Sequence, residues 1–60
     1  MEFLKETRLQ KEFTLSEVSK KAGISENYLS QLENGKRKPS VKMAKKIADF
    51  YKIDWTKFFE

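Results

Sequence analysis

Residues 14–34 read Thr14-Leu15-Ser16-Glu17-Val18-Ser19-Lys20-Lys21-Ala22-Gly23-Ile24-Ser25-Glu26-Asn27-Tyr28-Leu29-Ser30-Gln31-Leu32-Glu33-Asn34. Thr14 to Glu17 is a capping box: the threonine hydroxyl can accept from the Glu17 backbone N–H, and the Glu17 side chain can reach back to the Thr14 N–H. Phe13 precedes it as a candidate staple against Val18. A helix is predicted over 15–21, with Val18 and Ala22 one turn apart on its inner face. Gly23 ends it, because glycine takes the left-handed conformation at a helix C-terminus at little cost. Ser25, one residue after Ile24, is the next good N-cap. A further helix is predicted over 26–33, with Leu29 and Leu32 inward. The segment therefore reads as two short helices joined by a turn of three or four residues. Ser19 falls where the helices cross and only a small side chain fits. Ile24 plugs the gap between them.

Outward from this core the pattern stays helical. A first helix is expected over about 2–11, with Leu4 and Arg8 one turn apart on one face. Asn34-Gly35 closes the third helix, and Lys36-Arg37-Lys38-Pro39 follows as an exposed basic loop. Ser40 can cap a fourth helix whose stripe is Val41, Ala44, Ile47, Ala48 and Tyr51, with Lys42, Lys45, Lys46 and Asp49 facing away. Asp54 can cap a last short helix carrying Trp55, Phe58 and Phe59. Ile53, Trp55 and Phe58 are expected to close the core, with Phe59 left open between the core and a self-association surface or a docking face for a further C-terminal domain. The expectation is an all-α chain of five short helices.

Composition sets outer limits. Sixty residues allow one small domain, 1–60, and that size buries only about 60% of its unfolded surface. Cysteine and histidine are absent, which removes disulfide scaffolds, zinc sites, thiol nucleophiles and the usual catalytic base. No cofactor, metal or small-molecule substrate is expected. Nine carboxylates stand without a histidine, a cysteine or a phosphate-cradling loop, so an enzyme is not expected. The apolar residues come in ones and twos, too few for a membrane span or a signal-peptide core. The lysines of helix 4 could meet a membrane surface, but its apolar stripe is better used in the core. The +4 net charge is uneven: residues 1–33 hold five Lys/Arg against six Asp/Glu, and residues 34–60 hold eight against three. Such a basic half suits either a phosphate-binding face or a solvated lysine surface.

The whole pattern resembles the phage-repressor and Cro-type helix-turn-helix family, with its lambda-repressor-like five-helix fold. The residues that carry the resemblance are Thr14 to Ser19, Ala22-Gly23-Ile24-Ser25, Leu29 to Lys36, Pro39-Ser40 and Ile53-Asp54-Trp55. It covers essentially the whole chain, with 14–34 as the helix-turn-helix. It implies a sequence-specific double-stranded DNA-binding domain of a bacterial or phage transcription regulator, expected to be a repressor, acting in a bacterial cytoplasm or a phage-infected host. The third helix then lies in the major groove, and a homodimer reads the two half-sites of a palindromic operator about 34 Å apart.

On that reading the base contacts fall to Ser25, Glu26, Asn27, Tyr28 and Gln31. Asn and Gln amides can grip adenine N6 and N7, and a Glu carboxylate can accept from cytosine N4. Glu26 is either such a reader or an acid that favours the helix dipole. Tyr28 either gives its hydroxyl to a phosphate or lies on the core edge. Phosphate contacts fall to the helix N-terminus at Thr14, Leu15 and Ser16, to Asn34, Lys36, Arg37 and Lys38 of the loop, and to Ser40 and Lys42. By resemblance, Arg8 of helix 1 pairs with Glu33 at the end of helix 3.

The chain departs from the family at Leu15, where a glutamine that supports DNA contact is common. It departs also at Thr7, in place of a leucine, and at Glu12, in place of a glycine before helix 2. The first helix is accordingly expected to pack differently or run slightly longer. The family fold is just complete at Glu60, which suits the N-terminal part of a longer repressor. The competing class is a protein-interaction module that keeps the fold without specific DNA binding.

Overall fold

The computed structural model describes residues 1–60. Four α-helices, α1 (Glu2–Gln10), α2 (Leu15–Ala22), α3 (Glu26–Glu33) and α4 (Val41–Tyr51), are followed by a 3-10 helix, Trp55–Phe59. There is no strand. The chain is thus all-α with four α-helices rather than five, and the last expected α-helix is the 3-10 segment. Its geometry follows from Asp54, whose Oδ1 accepts from the Thr56 N–H at 3.0 Å and whose carbonyl accepts from Lys57 N–H at 3.2 Å. That tight i→i+3 closure stacks residues three apart. Trp55 and Phe58 therefore share a face, Phe58 is buried, and Phe59 is left 49% exposed with its ring 6.1 Å from that of Trp55.

With Asp54, all four predicted caps form. Thr14 Oγ1 accepts from Glu17 N–H at 3.1 Å while Glu17 Oε1 accepts from Thr14 N–H at 2.9 Å. The bond from the Thr14 N–H to the carboxylate holds the Glu17 carboxyl below its ordinary range. Ser25 and Ser40 accept from the N–H groups of Tyr28 and Met43.

The other ends of the α-helices share one device. Each closes with a bond from an N–H to a carbonyl five residues back: Phe13 to Arg8, Ile24 to Ser19, Lys36 to Gln31, and Ile53 to Ala48. The residue before each donor is left-handed, with φ of 59° at Glu12, 71° at Gly23, 74° at Gly35 and 60° at Lys52. Two of the four are glycines, for which this conformation is free. Glu12 and Lys52 adopt it against the preference of an L side chain. At Glu12, the position marked above as a glycine in the family, the backbone keeps the glycine-like shape, and α1 stops at Gln10 instead of running longer.

Eleven buried apolar residues form one cluster drawn from every element. Leu4, Val18, Leu29, Leu32, Ala44 and Ile47 are fully enclosed. α2 packs on α3 and α4, α1 packs on α3, and α4 packs on the 3-10 helix. Phe3 meets Phe58 edge-on at 5.3 Å, joining the first helix to the last turn, and Phe13 lies 5.4 Å from Phe50. Two expectations fail here. Val41 is 49% exposed, because it sits on the first turn of α4 and the inward stripe begins only at Ala44. Pro39 is buried, so the exposed basic loop ends at Lys38.

Candidate nucleic-acid interface

The helix that would be presented to a partner, α3, is fixed at both ends. At its start, Ser19 Oγ donates to the Ile24 carbonyl, and Ile24 is buried between α2 and α3. Lys46, expected to be plain solvated surface, donates from Nζ to the Gly23 carbonyl at 3.2 Å and so ties α4 to the turn. At its end, Arg8 grips Glu33 with both arms of its guanidinium. Nε donates to Oε2 at 2.8 Å and Nη2 to Oε1 at 3.1 Å. The third nitrogen, Nη1, donates to the Phe13 carbonyl at 2.9 Å. One side chain thus joins α1, the entry to α2 and the end of α3. Only 11% of the Arg8 side chain and 5% of the Glu33 side chain remain exposed. The bond to Glu33 raises the pKa of Arg8 from its already high value. The Met1 ammonium adds bonds to the carbonyls of Leu32 and Glu33, at 3.2 and 3.4 Å. It places positive charge at the negative end of the α3 dipole.

Beneath this clamp lies Tyr51, 1% exposed, whose hydroxyl meets no hydrogen-bonding group of the protein. Burial, and then the nearby Glu33 carboxylate, push its pKa up to about 12.

With Leu29 and Leu32 turned inward, the outward side of α3 carries the candidate readers. Glu26 and Asn27 are fully outward on the first turn, and Ser25 caps it. Tyr28 and Gln31 are half-buried. They are covered in part by Arg37, whose guanidinium carbon lies 4.9 Å from the Tyr28 ring centroid and whose Nη1 donates to Gln31 Oε1 at 3.4 Å. Arg37, expected among the phosphate contacts of the loop, has its side chain over α3. Lys36 and Lys38 are exposed and make no ion pair. Asn34 donates from Nδ2 to Ser30 Oγ at 3.4 Å.

Thr14, Leu15 and Ser16 line one shallow cleft together with Glu26, Glu12 and Leu9. The N–H groups of Leu15 and Ser16 precede the first intrahelical donor, Val18, and so point out of the helix start. Ser40 caps α4, and its neighbour Lys42 belongs to a separate groove with Lys45, Lys46 and Trp55, where Lys45 Nζ stands 4.9 Å from the Trp55 ring centroid. No group of carboxylates or other ligands is arranged to hold a metal ion. No helix is long and apolar enough to cross a membrane.

A family model described as Helix-turn-helix matches residues 4–58. Among curated proteins, the chain is 52% identical over 58 residues to the uncharacterized HTH-type transcriptional regulator YqaF of Bacillus subtilis (strain 168), covering 97% of this chain and 76% of that one. It is 37% identical over 51 residues to the ImmF control region 10 kDa protein of Bacillus phage phi105, covering 85% of this chain and 57% of the phage protein. No solved structure matches the chain.

Proposed function

Because the chain belongs to the Cro/C1-type helix-turn-helix family of DNA-binding transcriptional regulators, we propose that it is a single domain, 1–60, that reads a specific double-stranded sequence with α3 in the major groove. Within this reading it acts as a repressor, on DNA in the bacterial cytoplasm or a phage-infected host. A homodimer meets two half-sites of a palindromic operator. The observation that carries the reading is the exposure of Glu26 and Asn27 on a helix whose leucines are sealed in the core and whose end is clamped by Arg8.

In this arrangement Asn27 and Gln31 supply the amides that grip adenine, and Ser25 and Glu26 meet neighbouring base edges. Lys36 and Lys38 neutralise phosphates as point charges. The free N–H groups of Leu15 and Ser16, beside Thr14, accept a phosphate at the positive end of α2, and Asn34, Ser40 and Lys42 extend the backbone contact. The basic half of the chain provides the attraction, and the near-neutral half holding α3 provides the discrimination.

The test is a selection from random duplexes, followed by titration of the enriched sequence and a scrambled control at two salt concentrations. Enrichment of a motif with spaced half-sites is expected. Asn27→Ala should then cost about 1–3 kcal/mol on that motif alone, whereas Lys36→Ala should weaken every duplex and lower the salt slope by about one. Equal, salt-sensitive binding to all duplexes would refute sequence reading. The acidic cleft rim formed by Glu12 and Glu26 favours one competing reading, a protein-binding module. Absence of binding to any duplex would select it.

A further inference from the structure

Within the DNA-reading just proposed, on which this inference rests, we infer that Arg37 is a base-reading residue that recognises a guanine, not a phosphate contact of the loop. Three observations converge on it.

The first is position. Gly35 is left-handed, and the bond from Lys36 N–H to the Gln31 carbonyl, 2.9 Å, folds the chain back along the helix it has just left. The Arg37 side chain returns over Tyr28 and Gln31, which stand three residues apart on one face of α3. Tyr28 packs in part on the core and Gln31 is half-buried, so this strip runs along the flank of the outward side that carries Glu26 and Asn27. Lys36 and Lys38, on either side of Arg37 in sequence, stay outside it.

The second is chemistry. A guanidinium is a planar fork of five N–H donors, and its best match in the major groove is the pair of acceptors O6 and N7 of guanine. Only Nη1 is engaged by Gln31, so the remaining N–H groups are free to make the forked contact. A phosphate can accept the same fork, so the chemistry permits guanine and it is the position over α3 that selects it; the neighbouring lysines can serve phosphates as point charges.

The third is preorganisation. The guanidinium lies over the Tyr28 ring, and a bond of 3.4 Å to the Gln31 oxygen restricts it further. An arginine ordered before binding has less rotamer entropy to lose on contact. The bond also sets Arg37 and Gln31 side by side, so that they meet adjacent base pairs.

The experiment runs the duplex selection in parallel on the wild type, Arg37→Ala, Arg37→Lys and Lys36→Ala, and then titrates each against the enriched site and its single-base variants. Arg37 is exposed, and unchanged melting of its variants checks that the fold is intact. A guanine at one position of each half-site should appear with the wild type and with Lys36→Ala. It should become degenerate with Arg37→Ala and weaken with Arg37→Lys, whose single ammonium keeps part of the contact. Arg37→Ala should lose about 5- to 150-fold on the guanine site, the worth of one bidentate pair, and far less on the site lacking that guanine. Retention of the same motif by Arg37→Ala, or equal weakening of all duplexes by Arg37→Ala, would overturn the inference and leave DNA reading by α3 standing. A wild type that enriches no motif would overturn both.

Discussion

Glu33→Gln tests the clamp at the end of α3. The change keeps the shape of the side chain and removes its charge, leaving the Arg8 guanidinium almost wholly enclosed beside a neutral amide. Breaking one side of a buried ion pair costs about 3–5 kcal/mol. At about 0.05–0.15 kcal/mol per residue, a chain of this length holds roughly 3–9 kcal/mol in all. The single substitution should therefore consume much of the stability. At about 4–8 °C per kcal/mol for a domain of this size, the melting point should fall by at least about 12 °C. Replacing the pair by Arg8→Met with Glu33→Leu should recover most of the loss, because no charge is then stranded. Recovery should stop about 1 kcal/mol short, since the Phe13 carbonyl loses its Nη1 donor. Urea unfolding at 10 °C, followed by circular dichroism, reads all three proteins. A Glu33→Gln variant within 1 kcal/mol of wild type, or a double variant no better than the single, would refute the reasoning.

Three further outcomes follow from the geometry. Gly23→Ala should cost about 1–2 kcal/mol in urea unfolding, since the backbone there is left-handed at φ 71°; the added Cβ would also lie 3.3 Å from Lys46 Nζ, which can swing aside. Glu12→Gly and Lys52→Gly should each raise stability by roughly 0.5–1 kcal/mol, the strain relieved less the extra freedom glycine gives the unfolded chain; a loss in either would show that their side chains matter more than their backbone. Tyr51 keeps its proton more tightly when folded, so its contribution is complete below its ordinary pKa of 10.0 and is lost as pH rises toward about 12. Wild type should weaken across that window by up to about 1.4 kcal/mol per pH unit relative to Tyr51→Phe, a difference checked by urea midpoints of both proteins at pH 9, 10 and 11.

The features legible in the sequence are those written over a few neighbouring residues. The capping box at Thr14, the Gly23 stop and the bounds of α3 each depend on a span of six residues or fewer, and the structure reproduces them. Arg8 with Glu33 came from resemblance, since nothing local relates positions 25 residues apart. The same reach hid the bond from Lys46 to Gly23 and the docking of the Met1 ammonium on α3, neither of which leaves a periodic or motif signal. Arg37 was assigned by its neighbours in sequence; its real company depends on the direction in which Gly35 turns the chain. Val41 was placed inward by spacing alone, which cannot tell how far the core extends along a helix. The 3-10 turn differs from an α-helix only in the closure made by Asp54, a distinction that the Trp55 and Phe58 spacing permits but does not demand.

The shared ending of the four α-helices bears on how fast the domain assembles. The starts of α2, α3 and α4 and the stops of all four α-helices are closed by hydrogen bonds spanning five residues or fewer, so these boundaries form without distant segments, and the ties from Arg8, Met1 and Lys46 are added afterwards. Helical chains dominated by such local contacts fold in microseconds to milliseconds. A ribosome adding about 5–20 residues per second spends tens of milliseconds or more on each one. Once its residues are free of the ribosome, the domain should reach its final packing in less time than one such addition takes. Its apolar core is then exposed to a crowded cell for less than the time of a single elongation step.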